Sequence, residues 1–356
     1  MKILIGICGI GNGHLNRQTN VISLLMNKKH EIVIATTKNN INYFKNKFPE
    51  FKVLEISIPW IACSSKGIDF ATSLKKYQEG KIDQFSEFLK FSINVENVFS
   101  GVPDLVITDY EPNVAQYSYA VDIPLICMEQ QSKFLYLDEV KISNFSILEE
   151  KKRINYFFPK YSYKVISSFF PITIKEKNVK VVTPIISPLS EIKHKKNHIL
   201  VYFSPYENSG KYKKIVRALE CIPNHNVIVY TKEKFNINSN NITFKSYSNE
   251  FKSDLENAYC LISTAGHQLL SESISIEVPA YLIPLSTYEQ NYNAKMIEKY
   301  DLGKISNSIN AEEINQFIKE IPHYKKKIIK FKNKYYKNNW EKSLLEIIDI
   351  CEQMLH

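Results

Sequence analysis

The 356-residue sequence lacks the patterns that mark membrane-spanning, disordered, disulfide-rich and zinc-binding proteins. No apolar run approaches the roughly 18 to 20 uncharged residues that cross a bilayer, and the N-terminus has no small-residue cleavage site, so we expect a cytoplasmic protein. Glycine and proline number only 10 and 14, which excludes the collagenous class and argues against disorder. The six cysteines form no C-x-x-C pair, and we interpret them as buried free thiols.

Positive charge exceeds negative charge, but the excess is spread along the chain. The formal net charge is +9, from 46 Lys and Arg against 37 Asp and Glu. Residues 1–187 hold 23 basic and 18 acidic side chains, and residues 188–356 hold 23 and 19. Neither half therefore has the charge of a nucleic-acid-binding domain, and we expect no nucleic-acid partner.

One short segment concentrates lysine. Residues 325–337 contain seven lysines and no acidic residue, and Ile328, Phe331 and Tyr335 recur between them at i, i+3 and i+7. This spacing predicts a basic amphipathic helix. Two interpretations remain open: a solvated helix that packs by its apolar face, or an attachment point for anionic lipid headgroups at the inner face of the plasma membrane.

Short apolar strands alternate with longer helical patterns, which predicts an α/β fold with parallel sheets covered by helices. The run KILIGIC at residues 2–8 is typical of a strand buried on both faces, and HILVYFSP at 198–205 starts the alternation again. Residues 182–197 have two prolines and many polar residues, as a linker does. We therefore predict two doubly wound, Rossmann-like domains that face one another across a cleft. Their predicted limits are 1–185 and 189–337, followed by a C-terminal helix, 338–356, that packs back on the N-terminal domain.

The first turn, CGIGNGH at residues 8–14, places three glycines between a strand and a helix, where backbone amides can approach a ligand closely. A nicotinamide dinucleotide fits this turn poorly, because the third glycine of G-x-G-x-x-G falls on His14 and the second strand ends without an acidic residue for the ribose. His14 is either a helix-capping residue or, because imidazole titrates near neutral pH, a general base at the cleft.

A second motif spans residues 263–294. A strand turns on Gly266 into a helix whose first-turn amides form an anion site. Glu272, two turns into that helix, can accept hydrogen bonds from a diol, and Glu289 and Gln290 can bind further hydroxyl groups. Together these groups predict a nucleotide-sugar pocket, and the alternative is a capped helix with surface acids.

These motifs resemble those of the GT-B glycosyltransferases, in particular the group with the bacterial lipid II GlcNAc transferase and the UDP-glucuronosyl and plant glucosyl transferases. The resemblance runs nearly end to end and rests on GIGNGHLNRQ at 9–18, ITDYEP at 107–112 and the block 263–303. Gly266 precedes the glutamate of the donor motif by six residues, as in the family. The chain departs from many relatives at Thr264, where they have a histidine that contacts the diphosphate.

The resemblance implies an inverting glycosyltransferase of the hexosyltransferase type that needs no cofactor and no metal. It implies a UDP-sugar donor, a hydroxyl acceptor on a glycan, a lipid-linked or a small molecule, and His14 as the general base, assisted by Asp109 or Glu111. No D-x-D pair, the usual Mg²⁺ site of the other large transferase fold, occurs in the sequence. The implied donor-binding residues are Gly11, Asn12, Gly13, Ser204, Thr264, Ala265, Gly266, His267, Gln268, Glu272, Glu289 and Gln290.

This interpretation assigns the acceptor to residues 1–185 and the donor to residues 189–337. Two alternatives stay open. A UDP-sugar hydrolase or 2-epimerase would keep the fold and would use water or the sugar itself. A non-catalytic sugar-nucleotide-binding subunit would recruit a transferase to the membrane through residues 325–337, although His14, Glu272 and Gln290 are intact.

Overall fold

A computed structural model describes the chain in two α/β halves joined by the segment before residue 198. The described residues are 1–354 except 10, 57–61, 65–66, 70–74, 76–77, 80–82, 141, 143–145, 188–197, 203–208, 223, 233–234, 236–238, 249, 307 and 338. Each half has a parallel sheet with helices packed on it, which confirms the predicted fold class.

The described strands of the N-terminal half form a seven-stranded sheet and a small antiparallel hairpin. The strands are β1 (Lys2–Ile7), β2 (Glu31–Thr36), β3 (Lys52–Glu55), β4 (Ala62–Ser64), β5 (Gly67–Asp69), β6 (Leu105–Asp109), β7 (Leu125–Glu129), β8 (Tyr163–Ser167) and β9 (Val179–Val182). The sheet order is β3-β2-β1-β6-β7-β8-β9, with every pair parallel, and β4 pairs with β5 in the hairpin.

The C-terminal half repeats this topology. Its strands are β10 (His198–Tyr202), β11 (Asn226–Tyr230), β12 (Ile242–Lys245), β13 (Ala258–Ser263), β14 (Ala280–Leu282) and β15 (Gly303–Ile305). The sheet order is β12-β11-β10-β13-β14-β15, again fully parallel. In both sheets the strand order reverses beside the first strand, which opens a crevice at the carboxyl ends of the strands.

Helices connect the strands. They are α1 (Asn12–Met26), α2 (Lys38–Lys47), α3 (Gln84–Phe99), α4 (Pro112–Val121), α5 (Ile147–Phe157), α6 (Ser209–Glu220), α7 (Glu250–Glu256), α8 (His267–Ser275), α9 (Tyr288–Lys299), α10 (Ala311–Tyr335) and α11 (Trp340–Gln353), with a 3-10 helix at Gln131–Leu135. Within the described residues, each helix is too short or too polar to cross a bilayer.

The apolar runs of the sequence become strands because both sheet faces are covered. Successive strand side chains point to opposite faces, so Ile3 and Ile5 enter one hydrophobic cluster and Leu4 enters another. The cluster that contains Leu4 continues into the C-terminal half through Leu200 and Leu261. The two halves therefore share one continuous core.

The last helix returns to the N-terminal half. Trp340 and Leu344 of α11 lie in the same hydrophobic cluster as Ile3 of β1. Lys180 of β9 forms an ion pair with Glu346 of α11 at 2.7 Å.

Helix α10 is longer than the lysine-rich segment alone predicts, with 25 residues. Ile328 and Phe331 are buried as the spacing requires, and Lys332 donates to the Ser275 carbonyl at 2.5 Å. Of the described free cysteines, four are buried as predicted and Cys221 is exposed.

Candidate functional site

A cleft of about 970 Å³ lies between the carboxyl ends of the two sheets. Its N-terminal wall includes residues after β1, β2, β6 and β7 and residues of α5. Its C-terminal wall includes residues of β10 and α6 and residues after β11, β12, β13 and β14. The predicted site residues that line it are Gly11, Asn12, Gly13, His14, Thr264, Gly266, His267, Gln268, Glu272, Glu289 and Gln290. Asp109, Glu111 and Ala265 are fully buried, and Ser204 lies outside the described residues.

His14 lies in the first turn of α1 with 12% of its side chain exposed at the cleft. Its Nδ1 is 2.7 Å from Oδ1 of Asp109, the last residue of β6. Arg17 Nη2 also lies 3.0 Å from this Nδ1, but it donates to Asp109 Oδ1 at the shorter distance of 2.6 Å. Because a carboxylate only accepts hydrogen bonds, the contact with Asp109 favours a proton on Nδ1 and an Nε2 lone pair as an acceptor. Gln131 Nε2 lies 3.5 Å from that Nε2. The arrangement can accept a proton from a group bound in the cleft.

Asp109 is fully buried, yet donors surround it. Arg17 Nε and Nη2 donate to its two oxygens at 2.8 and 2.6 Å, and Gln18 Nε2 donates at 3.0 Å. Burial disfavours the carboxylate, but the charge of Arg17 and the hydrogen bonds from Arg17 and His14 outweigh it and hold the pKa of Asp109 below its ordinary value. His14, Arg17 and Gln18 stand at i, i+3 and i+4, so one face of α1 supplies three partners of a single carboxylate.

Glu111, the other candidate for assisting His14, has a different role. Its carboxylate accepts from the Val114 amide at 2.8 Å and from Asn113 Nδ2 at 2.7 Å, so it is the N-cap of α4. Burial raises the pKa of Glu111. The structure corrects this assignment, because both carboxylate oxygens are used at the start of α4 and it is Asp109 that contacts the imidazole.

Tyr110 lies between Asp109 and Glu111 in the chain, and its backbone conformation directs the two carboxylates to different helices. Its backbone is left-handed, with a φ of 55°, a conformation that costs roughly 1 to 2 kcal/mol for a residue with a Cβ. Its ring stacks on His14, with centroids 6.2 Å apart and planes inclined by 20°. The turn lets Asp109 face α1 while Glu111 faces α4.

The glycines of the first turn are required for different steric reasons. Gly11 has a φ of 72°, which glycine adopts without strain. A Cβ on Gly9 would overlap Thr37, and one on Gly13 would lie 3.3 Å from the Cβ of Gln268. Gly13 is therefore a point of close approach between α1 and α8, where the two halves meet.

The C-terminal wall presents the start of α8 to the cleft. Gly266 is the N-cap and supplies no side-chain cap, so the first amides of the helix have no partner inside it. These amides and the positive end of the helix dipole favour an anion such as a phosphate group. Thr264 lines the cleft just before this turn.

His267 begins α8 and is 3% exposed. Neither ring nitrogen has a hydrogen-bond partner in the described part of the chain. Burial first, and then the charges of Lys133 and Arg17, lower the pKa of His267 well below its ordinary value, so the ring is neutral at pH 7. The ring packs on Phe169, with centroids 5.3 Å apart.

Glu272 lies where the two halves meet, and burial raises its pKa to about 7. Gln268 Nε2 donates to its Oε1 at 3.1 Å and to the Ile185 carbonyl at 3.0 Å. The side chain of Asn16 in α1 acts against the burial and lowers the pKa of Glu272. A carboxylate held in this way has further lone pairs for the hydroxyl groups of a ligand.

Glu289 and Gln290 begin α9 and have unequal roles. Gln290 Oε1 accepts from the amides of Ala265 and Leu285, both at 3.0 Å, so it holds two loops of the C-terminal wall together. Glu289 Oε1 accepts from Gln130 Nε2 of the opposite wall at 2.8 Å. The carboxylate thus bridges the cleft, whereas the amide oxygen is used within its own wall.

Four aromatic rings form a further part of the lining. Tyr202, Tyr230, Tyr247 and Phe251 have ring centroids 4.9 to 6.4 Å apart in neighbouring pairs, and all four line the cleft. Such a cluster offers apolar faces on which a flat ligand group can stack.

The carboxylates that line the cleft are Glu149, Glu150, Glu272 and Glu289. Glu150 forms an ion pair with Arg153 at 3.1 Å. Within the described residues, no group of three or more His, Cys, Asp and Glu side chains is placed to hold a metal ion.

Sequence reasoning missed Asn16, Arg17, Gln18 and Gln130. The spacing H-x-x-R-Q could have identified Arg17 and Gln18, since i, i+3 and i+4 share one helix face. Asn16 and Gln130 carried no local signal, because each is a single amide whose partner lies more than 150 residues away.

A family model identifies the family of the chain. The model of glycosyl transferase family 1 matches residues 1–322. No curated protein is significantly similar to the chain in sequence.

Solved structures match the whole chain at low identity. UGT2 of Phytolacca americana, complexed with UDP-2-fluoro-glucose and pterostilbene, superposes with a TM-score of 0.72 at 14% identity, over 99% of each chain. UGT89C1 of Arabidopsis thaliana, complexed with quercetin, has a TM-score of 0.72 at 12% identity, over 98% of this chain and 99% of that one. The glycosyltransferase VinC, in complex with DTDP, has a TM-score of 0.68 at 12% identity, over 99% and 100%. The shared fold is GT-B.

Proposed function

Because the chain belongs to glycosyl transferase family 1, we propose that it transfers a sugar from a nucleotide-sugar donor, UDP-linked, to an acceptor hydroxyl with inversion at the anomeric carbon. The observation that carries the proposal is the pair His14 and Asp109 on one wall of a cleft whose other wall holds the start of α8. One wall offers a proton acceptor and the other an anion site, and a displacement at an anomeric carbon needs both.

In the proposed reaction, His14 Nε2 takes the proton of the acceptor hydroxyl as its oxygen attacks the anomeric carbon. The bond from that carbon to the phosphate oxygen breaks, and the nucleoside diphosphate leaves with the bonding electrons. Asp109, kept ionised by Arg17, stabilises the imidazolium that forms. The free amides of α8 stabilise the departing diphosphate.

The donor contacts follow the C-terminal wall. We assign the ribose hydroxyls to Glu272 and the sugar hydroxyls to Glu289 and Gln290, with the base against Tyr247 and Phe251. All five residues line the cleft. Two similar structures hold UDP-2-fluoro-glucose and DTDP, which supports a nucleotide-linked donor.

We propose that the transfer needs no metal, because the positive end of α8 can take the charge of the leaving group. The expected result is an unchanged rate in the presence of EDTA. A rate that EDTA abolishes and Mg²⁺ restores would contradict this part of the proposal.

A thermal-shift panel of nucleotide sugars tests the function. A ligand at 100 times its dissociation constant adds about 2.7 kcal/mol of stability, so the donor should raise the melting temperature and its unrelated analogues should not. The same donor is then incubated with and without glycan, lipid-linked and small-molecule acceptors. Consumption at an equal rate without an acceptor would favour the hydrolase or 2-epimerase instead.

We also propose that the exposed side of α10 contacts anionic lipid at the inner face of the plasma membrane, as suits an enzyme of glycan biosynthesis. Lys326, Lys330 and Lys334 recur every four residues on that side and are exposed. Ile329, 39% exposed, lies among them. Co-sedimentation with vesicles of anionic and of zwitterionic lipid tests this contact, and equal recovery with both would contradict it.

A further inference from the structure

Gln130 reaches across the cleft to a residue of the opposite half. It follows β7 in the N-terminal half, and its Nε2 donates to Glu289 Oε1 at the start of α9, 2.8 Å away. Gln130 is 4% exposed, so this hydrogen bond is shielded from water. Glu289 Oε2 has no hydrogen-bond partner in the described part of the chain, and Glu289 lines the cleft.

Lys133 determines which way the Gln130 amide faces. Lys133 is fully buried in the 3-10 helix, and its Nζ donates to Gln130 Oε1. An ammonium group only donates hydrogen bonds and a carboxylate only accepts them. The amide oxygen must therefore face Lys133 and the amide NH₂ must face Glu289, so a buried cation, an amide and an anion form one ordered series.

Aromatic packing holds this series in register across the two halves. Phe134 packs edge-on against Tyr288 and Tyr292 of α9, with centroids 5.6 Å away in both cases. Glu289 directly follows Tyr288, so the same contact that joins the halves positions the carboxylate. The Lys133 ammonium lies 5.0 Å from the ring of Phe134, a cation–π distance.

Burial lowers the pKa of Lys133 to about 8, and the charges of Glu289 and Glu129 oppose that shift. The lysine is therefore mostly charged at pH 7. An isolated buried cation is unfavourable, and the carboxylates of Glu289 across the cleft and of Glu129 in the same half offset part of that cost.

We propose that Gln130 and Lys133 are positioning residues that set the donor-sugar selectivity of the enzyme by orienting Glu289. One oxygen of Glu289 is committed to Gln130, and the other accepts a sugar hydroxyl from the direction that this hydrogen bond imposes. Because Gln130 and Glu289 belong to different halves, both halves contribute to the sugar site. The proposal rests on the proposed function, namely that a nucleotide sugar binds this cleft.

The test measures the contribution of the donor sugar to binding separately from that of the nucleotide. The variants Gln130→Glu and Lys133→Met are compared with wild type for binding of the nucleoside diphosphate alone and of the nucleotide sugar. Gln130→Glu keeps the size of the side chain and its contact with Lys133 but places an oxygen against Glu289. Affinity for the nucleotide sugar should fall about tenfold, as expected when a hydrogen bond to a charged group is lost, while the nucleoside diphosphate binds within about twofold of wild type.

A second readout is the ratio of kcat/KM for two nucleotide sugars that are epimers at one hydroxyl. This ratio should change by about tenfold in both variants, which a general loosening of the fold would not produce. Gln116→Leu, on the exposed side of α4, is the matched control and should leave both readouts unchanged. If Lys133→Met does not fold, the results for Gln130→Glu alone test the proposed positioning role.

Two outcomes overturn the inference in distinguishable ways. If wild type transfers sugar and the variants keep the wild-type affinity and epimer ratio, the positioning role is wrong and the proposed function stands. If wild type binds no nucleotide sugar in any assay, the proposed function fails and the inference fails with it.

Discussion

The two walls of the cleft differ in how far their polar groups are already paired. On the N-terminal wall, His14, Asp109 and Arg17 form a set in which the carboxylate has four hydrogen bonds, one of them from Gln18. On the C-terminal wall, His267 has no partner for either nitrogen within the described residues, and the first amides of α8 are open.

This difference corresponds to two kinds of task. A group that moves a proton needs fixed partners, because the position of the proton depends on them. A wall that binds a polar ligand can leave its own groups unpaired, at a cost in stability, because the ligand then satisfies them. We therefore expect substitutions in the set of His14, Asp109 and Arg17 to affect rate, and those on the C-terminal wall to affect ligand binding.

The largest effect should follow His14→Ala. Loss of a general base costs about 10²- to 10⁴-fold in rate, whereas the donor contacts on the opposite wall stay intact. The variant should therefore bind the nucleoside diphosphate like wild type in calorimetry and lose turnover in a transfer assay. If this variant turns over like wild type, His14 is not the general base.

Asp109→Asn should affect the N-terminal wall more broadly. It leaves the buried Arg17 charge without its partner, which costs about 3 to 5 kcal/mol of stability. Urea unfolding measures this loss. A loss below 1 kcal/mol would show that the charge pairing on this wall contributes little.

Glu272 should give the C-terminal wall a pH-dependent stability. Burial raises its folded-state pKa to about 7 from 4.5, so the folded state holds a proton that the unfolded chain has lost. Stability should therefore fall as pH rises from about 4.5 to about 7, by at most about 1.4 kcal/mol per pH unit. Chemical unfolding at several pH values tests this, with Glu272→Gln as the variant in which this part of the slope disappears.

The variant Glu111→Gln distinguishes the role of Glu111 from that of Asp109, the two carboxylates that flank Tyr110. As an N-cap, Glu111 should contribute about 1 kcal/mol to stability, and its replacement should leave the pH profile of transfer unchanged. A shifted profile would mean that Glu111 acts on His14 after all.

The smallest effect should come from the lysines of α10, which are not among the residues that line either wall. Replacing Lys326, Lys330 and Lys334 by glutamine should change stability by no more than about 0.5 kcal/mol and leave transfer to a soluble acceptor unchanged. Recovery with anionic vesicles should fall, since each such lysine contributes about 1 kcal/mol near a negative membrane surface. Unaltered recovery would mean that these lysines contact solvent and do not bind the membrane.

Much of the fold could be predicted because its signals are local. Strands buried on both faces leave continuous apolar runs, so β1, β10 and β13 were visible in the sequence. His14 follows β1 and Gly266 follows β13, and the carboxyl ends of the strands in both parallel sheets border the cleft.

The partner of His14 could not be predicted from the chain. Asp109 and Glu111 both follow the apolar part of β6, and the left-handed turn at Tyr110 decides which of them faces α1. Such a turn at a residue other than glycine leaves no mark in composition or spacing. The link between Gln130 and Glu289 was equally hidden, since it depends on how the two halves pack.

The sequence by itself determined two doubly wound halves, a histidine after the first strand and a glycine turn into a helix after the thirteenth, because each depends on neighbouring residues and on strand direction. Only the tertiary structure decided which polar groups are paired across the cleft. Hydrogen bonds between distant side chains act over about 3 Å, and only the packing of the two halves brings such atoms together.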